Sequence, residues 1–258
     1  MDVFKLDKLL IRDCIIILAV ILTGFTDMFL DTNSKPESTP SAQGKTESTP
    51  SVHAKQIDDS IHVDVNPESI SVLVNNLHKL PESYSPPDLI YVDIPFVFQD
   101  KTEKRKMRAE AAGAIIDLYT DAKEQGISLL GVSAYRSHAT QTALFQSYVR
   151  KDGYEKAKTY SALPGTSEHE TGLAIDVTGG DGKCPAEDCF GGTKEAIWLE
   201  ENAADYGFII RYPKGKKAIT GYQYEPWHLR YVGKSIALII MNKGITLEEY
   251  FHVQPVNK

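Results

Sequence analysis

The sequence predicts an α+β domain with a mainly antiparallel sheet flanked by helices. Two observations carry this. Apolar runs of strand length and amphipathic helical stretches intermingle without a clean βα alternation, which disfavours a parallel sheet. The chain's 258 residues, 42% of them hydrophobic and 24% charged, suffice for one substantial core with segments to spare. Three cysteines are too few to build the fold from disulfides, so a hydrophobic core must hold it.

Taken in order, residues 1–31 read as a cytoplasmic tip and membrane anchor. Cys14 to Thr26 is uncharged and apolar behind Lys5, Lys8 and Arg12, a basic flank that stays cytoplasmic and sends the rest of the chain outside. No small-x-small cleavage site follows, so an uncleaved single-span helix is expected, with a cleaved signal and secretion as the alternative. Residues 32–60 read as a flexible linker in which Glu-Ser-Thr-Pro-Ser occurs at 37–41 and again at 47–51. Residues 61–258 are expected to form the outward-facing domain.

Within that domain Ser69–Leu80 predicts a short helix and Pro81 to Pro87 a turn region. Met107, Ala111, Ala114, Ile115, Leu118 and Ala122 recur at helical spacing, ending near Gly126. Ile127–Val132 predicts a buried strand, followed by a helix bearing Leu144, Phe145 and Tyr148. Leu173–Val177, Phe208–Tyr212 and Leu229–Val232 are further strands. Thr193 caps a helix expected to run to Tyr206 with Gly207 as its stop, and Ile236–Met241 is a last apolar helix.

Three segments carry chemistry. Ser167-Glu-His-Glu-Thr-Gly-Leu-Ala-Ile-Asp176 places His169 on a loop and Asp176 on the strand after it, with Gly172 allowing the turn between. A helical His-Glu-x-x-His zinc motif is excluded, because position 173 is Leu and Gly172 weakens a helix there. Glu225-Pro-Trp-His228 adds a second imidazole at the start of a strand. His169, Asp176 and His228 together suit zinc with an open fourth position, and Glu225 is a carboxylate beside the metal that need not ligate it. Ser133-Ala-Tyr-Arg136-Ser137 places an arginine just past a strand end, suited to holding an oxyanion or a carboxylate. Taken alone, the His169–Asp176 pair reads more readily as a surface pair and the Trp-His segment as core, while Arg136 reads equally well as a surface salt bridge; it is their combination that points to a site. A net charge of -7 without a basic block argues against nucleic acid, and none is expected as a partner.

The three segments in this order resemble the zinc D-alanyl-D-alanine carboxypeptidases of the VanY type. Leu80-Pro81, Tyr206-Gly-Phe208, Arg211-Tyr-Pro213 and Thr220-Gly-Tyr222 extend the similarity over roughly residues 70–235. The resemblance implies one zinc ion on His169, Asp176 and His228, Glu225 as general base toward the attacking water, and Arg136 stabilising the scissile carbonyl. It places Ser167 and Gln141 as substrate-contacting candidates. It also implies the zinc fold shared with the hedgehog signalling domain. The expected activity is removal of the terminal D-alanine from peptidoglycan precursor pentapeptides, contributing to glycopeptide resistance, with no obligatory protein partner. Cys184 and Cys189, in a loop with Gly182, Pro185 and Gly192, are expected to form a disulfide worth about 2 kcal/mol.

Overall fold

In the computed structural model residues 62–256 are described. The expected anchor and linker lie outside them. Among the described residues no helix is long and apolar enough to cross a membrane.

A short hairpin, β1 (Leu89–Tyr91) with β2 (Lys106–Arg108), opens the domain and leads directly into α1 (Ala109–Glu124). The predicted stripe on α1 is the buried one: Ala111, Ile115, Leu118 and Ala122 are wholly inaccessible. Next come β3 (Leu129–Ser133), α2 (His138–Asp152) and the single turn α3 (Tyr154–Ala157). Then follow β4 (Ala174–Gly179), α4 (Lys194–Asn202), β5 (Phe208–Tyr212), the turn α5 (Lys217–Thr220), β6 (Glu225–Tyr231), α6 (Lys234–Lys243) and the turn α7 (Leu247–Tyr250). The main sheet has the order β3-β4-β6-β5 and every pairing in it is antiparallel. The domain is thus mixed helix and antiparallel sheet, as expected.

Strand alternation divides the two central strands between two tasks. Ile175 and Val177 of β4, with Trp227, Leu229 and Tyr231 of β6, join the main apolar cluster with α1 and α4. The intervening residues, Asp176, His228 and Arg230, face the other way. All six residues of β4 are buried, which is why the segment reads as a continuous apolar run.

Two expectations on helices need correction. Ser69–Leu80 is not helical. The buried Arg230 guanidinium donates to the carbonyls of Ile70 and Val72, while Asn75 Oδ1 takes the amides of Leu77 and His78, so the groups a helix would pair internally are used elsewhere. The helix capped by Thr193 is shorter than expected: the Thr193 side chain accepts from Ala196 N, but the helix stops at Asn202 and a 3₁₀ turn, Ala203–Tyr206, completes the run. Gly207 ends it at φ +83°, where a Cβ would meet Tyr231 at 2.7 Å.

Cys184 and Cys189 are disulfide-bonded, with Cα atoms 5.6 Å apart. Closing so short a loop stabilises by about 2 kcal/mol. Changing both cysteines to Ser should therefore lower the thermal midpoint by about 4–8 °C. An unchanged midpoint in calorimetry would show that the bridge contributes nothing to global stability.

Candidate active site

The sheet register creates the site. Asp176 on β4 lies directly opposite His228 on β6, and Ser133, at the end of β3, lies opposite Asp176 on its other side. The buried 3₁₀ turn Glu168–Thr171, entered from Ser167, brings His169 to the same spot. Gly172 ends that turn at φ +69°, and a Cβ there would press within 2.7 Å of Leu89, so the predicted turn glycine is needed on both counts. Glu170 ties the turn down, accepting from Gly165 N at 2.8 Å and meeting His138 Nδ1 at 2.9 Å.

His169 Nε2 stands 3.3 Å from Asp176 Oδ2, and His228 Nδ1 stands 3.0 Å from Asp176 Oδ1. One ligand atom from each of the three lies within 4.8 Å of the others, and all three residues are buried. The remaining ring nitrogens are engaged as a metal site requires: His169 Nδ1 meets Ala134 O at 2.7 Å, and His228 Nε2 meets Glu168 Oε2 at 3.3 Å. Two oriented imidazoles and one carboxylate fit zinc and leave a position open.

Around this cluster is a pocket of about 480 Å³ whose lining includes Arg136, Ser167, Tyr212, Tyr222, Glu225 and Trp227. Glu225, at the start of β6, holds its carboxylate 3.9 Å from His228 Nδ1. Burial pushes its carboxyl up to about 7; His228 opposes, and the Asp176 and Glu168 carboxylates add to the rise. His228 is raised as well. Burial would lower its imidazole, but hydrogen bonds to Asp176 and Glu168 and the Asp176 and Glu225 charges overrule that and hold it above the usual imidazole range.

Arg136 enters from the loop between β3 and α2. Its Nη1 donates to Gln141 Oε1 at 2.8 Å, its Nη2 approaches Ser133 Oγ at 3.4 Å, and donors remain for the pocket. Gln141, expected to contact substrate, is placed differently. It is 1% exposed and its Nε2 donates to Ala162 O, so its amide is committed to holding Arg136 against α2 rather than facing the pocket. Ser167 does line the pocket.

Behind the cluster is a set of residues that the sequence reading did not single out. Glu168, Arg211, Arg230 and Glu248 are all buried to 1% exposure or less and paired with one another. Their sequence signals were the Arg211-Tyr-Pro213 segment and an arginine inside each of two otherwise apolar strands, Phe208–Tyr212 and Leu229–Val232. At Glu248, burial pushes the carboxyl up, but Arg211 and the Asn75 amide overrule it and hold it below the usual carboxylate range. Depressed in the folded state, this group stabilises above its unfolded pKa of about 4.3, and that contribution is lost as pH falls through the folded value. Glu248→Gln should therefore cost about 3–5 kcal/mol at pH 7. The gap to wild type should narrow in urea unfolding at pH 3; a gap of equal size at both pH values would contradict the ionised pairing.

Residues 104–234 match the family described as VanY, D-alanyl-D-alanine carboxypeptidase. The chain belongs to this family. It is similar to YodJ of Bacillus subtilis (strain 168), a carboxypeptidase candidate, with 44% identity over 219 residues that span 85% of this chain and 80% of YodJ. Among solved structures, the LdcB LD-carboxypeptidase shares 47% identity over 73% of this chain and 89% of its own, with a TM-score of 0.71. The D,D-pentapeptidase VanY of a VanB-type vancomycin resistance cassette, a point mutant in complex with Zn(II), shares 31% identity over 72% of this chain and 99% of its own, with a TM-score of 0.58. Of these three, the VanY pentapeptidase is the one described with Zn(II), and this chain is a zinc metallopeptidase of the VanY carboxypeptidase family.

Proposed function

We propose that the chain removes the C-terminal D-alanine from peptidoglycan precursor peptides, with zinc held by His169, Asp176 and His228. The observation that carries this is the meeting, in one pocket, of the two-imidazole, one-carboxylate cluster with a raised-pKa carboxylate, Glu225, and a cation, Arg136. Bound there, zinc supplies Lewis acidity, acidifying water and polarising the scissile carbonyl. Glu225 accepts the proton of the attacking water and returns it to the departing amine of D-alanine, a role suited to a carboxyl whose pKa lies near the working pH. Arg136, steadied by Gln141, donates to the carbonyl oxygen as it gains charge. Ser167 holds the peptide against this face of the pocket.

The substrate of the first reading is a pentapeptide ending in D-alanyl-D-alanine. Its trimming removes the dipeptide that glycopeptide antibiotics recognise, and so contributes to vancomycin resistance. With the apolar N-terminal segment as anchor and residues 32–60 as tether, the domain meets such precursors outside the cell membrane. The similarity to the LdcB LD-carboxypeptidase favours a second reading, in which the scissile bond joins an L-centre to a single terminal D-alanine.

The test is D-alanine release from a muramyl pentapeptide, the corresponding tetrapeptide and free D-alanyl-D-alanine. Release from the pentapeptide is expected under the first reading and release from the tetrapeptide under the second. Cleavage of the free dipeptide alone, or of none of the three by zinc-loaded protein, would overturn the carboxypeptidase assignment.

A further inference from the structure

The two histidines of the zinc cluster are oriented by different means. His169 is turned by a backbone carbonyl, that of Ala134, at 2.7 Å from Nδ1. His228 is backed by a carboxylate, Glu168 Oε2, at 3.3 Å from Nε2. The other oxygen of Glu168 receives Arg211 Nε and Arg230 Nη1, each at 2.7 Å. Arg211 in turn donates to both oxygens of Glu248, at 2.9 and 2.6 Å, and Glu248 accepts from Asn75 Nδ2 at 3.1 Å. Arg230 spends its Nε and Nη2 donors on the carbonyls of Tyr231, Ile70 and Val72.

Two guanidiniums and two carboxylates thus form a charge-balanced buried set in which every guanidinium nitrogen is engaged. Packing alone would require Glu168 only as a counter-ion, and one oxygen does that work. The second oxygen is turned away from both arginines and toward the imidazole.

We propose that Glu168 is a positioning residue for the zinc site: its Oε2 accepts the Nε2–H of His228 and fixes the tautomer that aims the Nδ1 lone pair at the metal position beside Asp176. This inference rests on the reading that His169, Asp176 and His228 hold zinc. A carboxylate behind a ligating imidazole orients the ring and raises its basicity, and losing such a partner costs about 10- to 100-fold in metal affinity. The arginines keep the carboxylate ionised and at a fixed distance, so the strand-borne ligand is tied through Arg211 and Glu248 to the C-terminal turn α7.

The test is zinc affinity of the full chain, by competition with a chromophoric chelator, together with the absorption spectrum of the cobalt-substituted protein. Glu168→Gln removes the charge, and Glu168→Asp keeps the charge among the arginines but withdraws it from His228. Both should bind zinc about 10- to 100-fold more weakly than wild type and alter the cobalt spectrum. If Glu168→Gln fails to fold because its arginines are left unbalanced, Glu168→Asp, which retains that balance, decides the matter. Wild-type zinc affinity and an unchanged cobalt spectrum in Glu168→Asp would reduce Glu168 to a counter-ion and overturn the inference alone. Equal, weak zinc binding by wild type and His228→Ala would overturn the zinc reading itself, and this inference with it.

Discussion

Replacing Glu225 by Gln should lower turnover by about 10²–10⁴-fold, the usual contribution of a positioned general base, while zinc stays bound. The side chain keeps its size and its place at the start of β6, so the pocket is preserved. What is lost is a carboxylate able to take a proton from water and hand it to a leaving amine. Because Glu225 is outside the triad of ligand atoms, its loss should leave the metal content at wild-type level. The measurement is steady-state D-alanine release alongside metal analysis of the same samples. Wild-type turnover in the variant would remove Glu225 from the chemistry; lost zinc would recast it as a ligand.

Arg136→Ala should slow the reaction by about 10²–10³-fold, as when other donors to a developing oxyanion are removed. The guanidinium lines the pocket while Gln141 and Ser133 hold it from behind, so it reaches the reaction already oriented. Its charge acts in a partly water-excluded site, where it counts for more than in water. The loss should fall mainly on kcat, because the donor is used most as the carbonyl becomes tetrahedral. A variant changed only in KM would mean that Arg136 binds the substrate's ground state, for example its terminal carboxylate. Gln141→Ala should reproduce a fraction of the same defect, since it loosens the arginine without removing it.

Much of the site was legible before the structure because its residues sit in short motifs with strong local meaning. Gly172 announces a turn, the apolar run after it announces a buried strand, and a histidine and an aspartate on either side of that turn can converge. That Asp176 and His228 lie in direct register could not be read from spacing, because strand pairing across 52 residues is set by the whole sheet. The buried ionic set was the least visible part. Glu168 and Glu248 look like surface charges taken singly, and only their packing with Arg211 and Arg230 makes them an interior group. The same set explains the failed helix at 69–80: Arg230, distant in sequence, takes two of that segment's carbonyls, a tertiary demand that outweighs local propensity. Gln141 likewise needed the fold, since nothing local shows that its amide faces an arginine rather than the pocket.

The most direct test of the account is D-alanine release by chelator-treated protein as zinc is restored stepwise. The account predicts no release from the stripped protein, full recovery at one zinc per chain, and no recovery in His169→Ala or Asp176→Ala. Undiminished release by the stripped protein, or recovery in those variants equal to wild type, would contradict it.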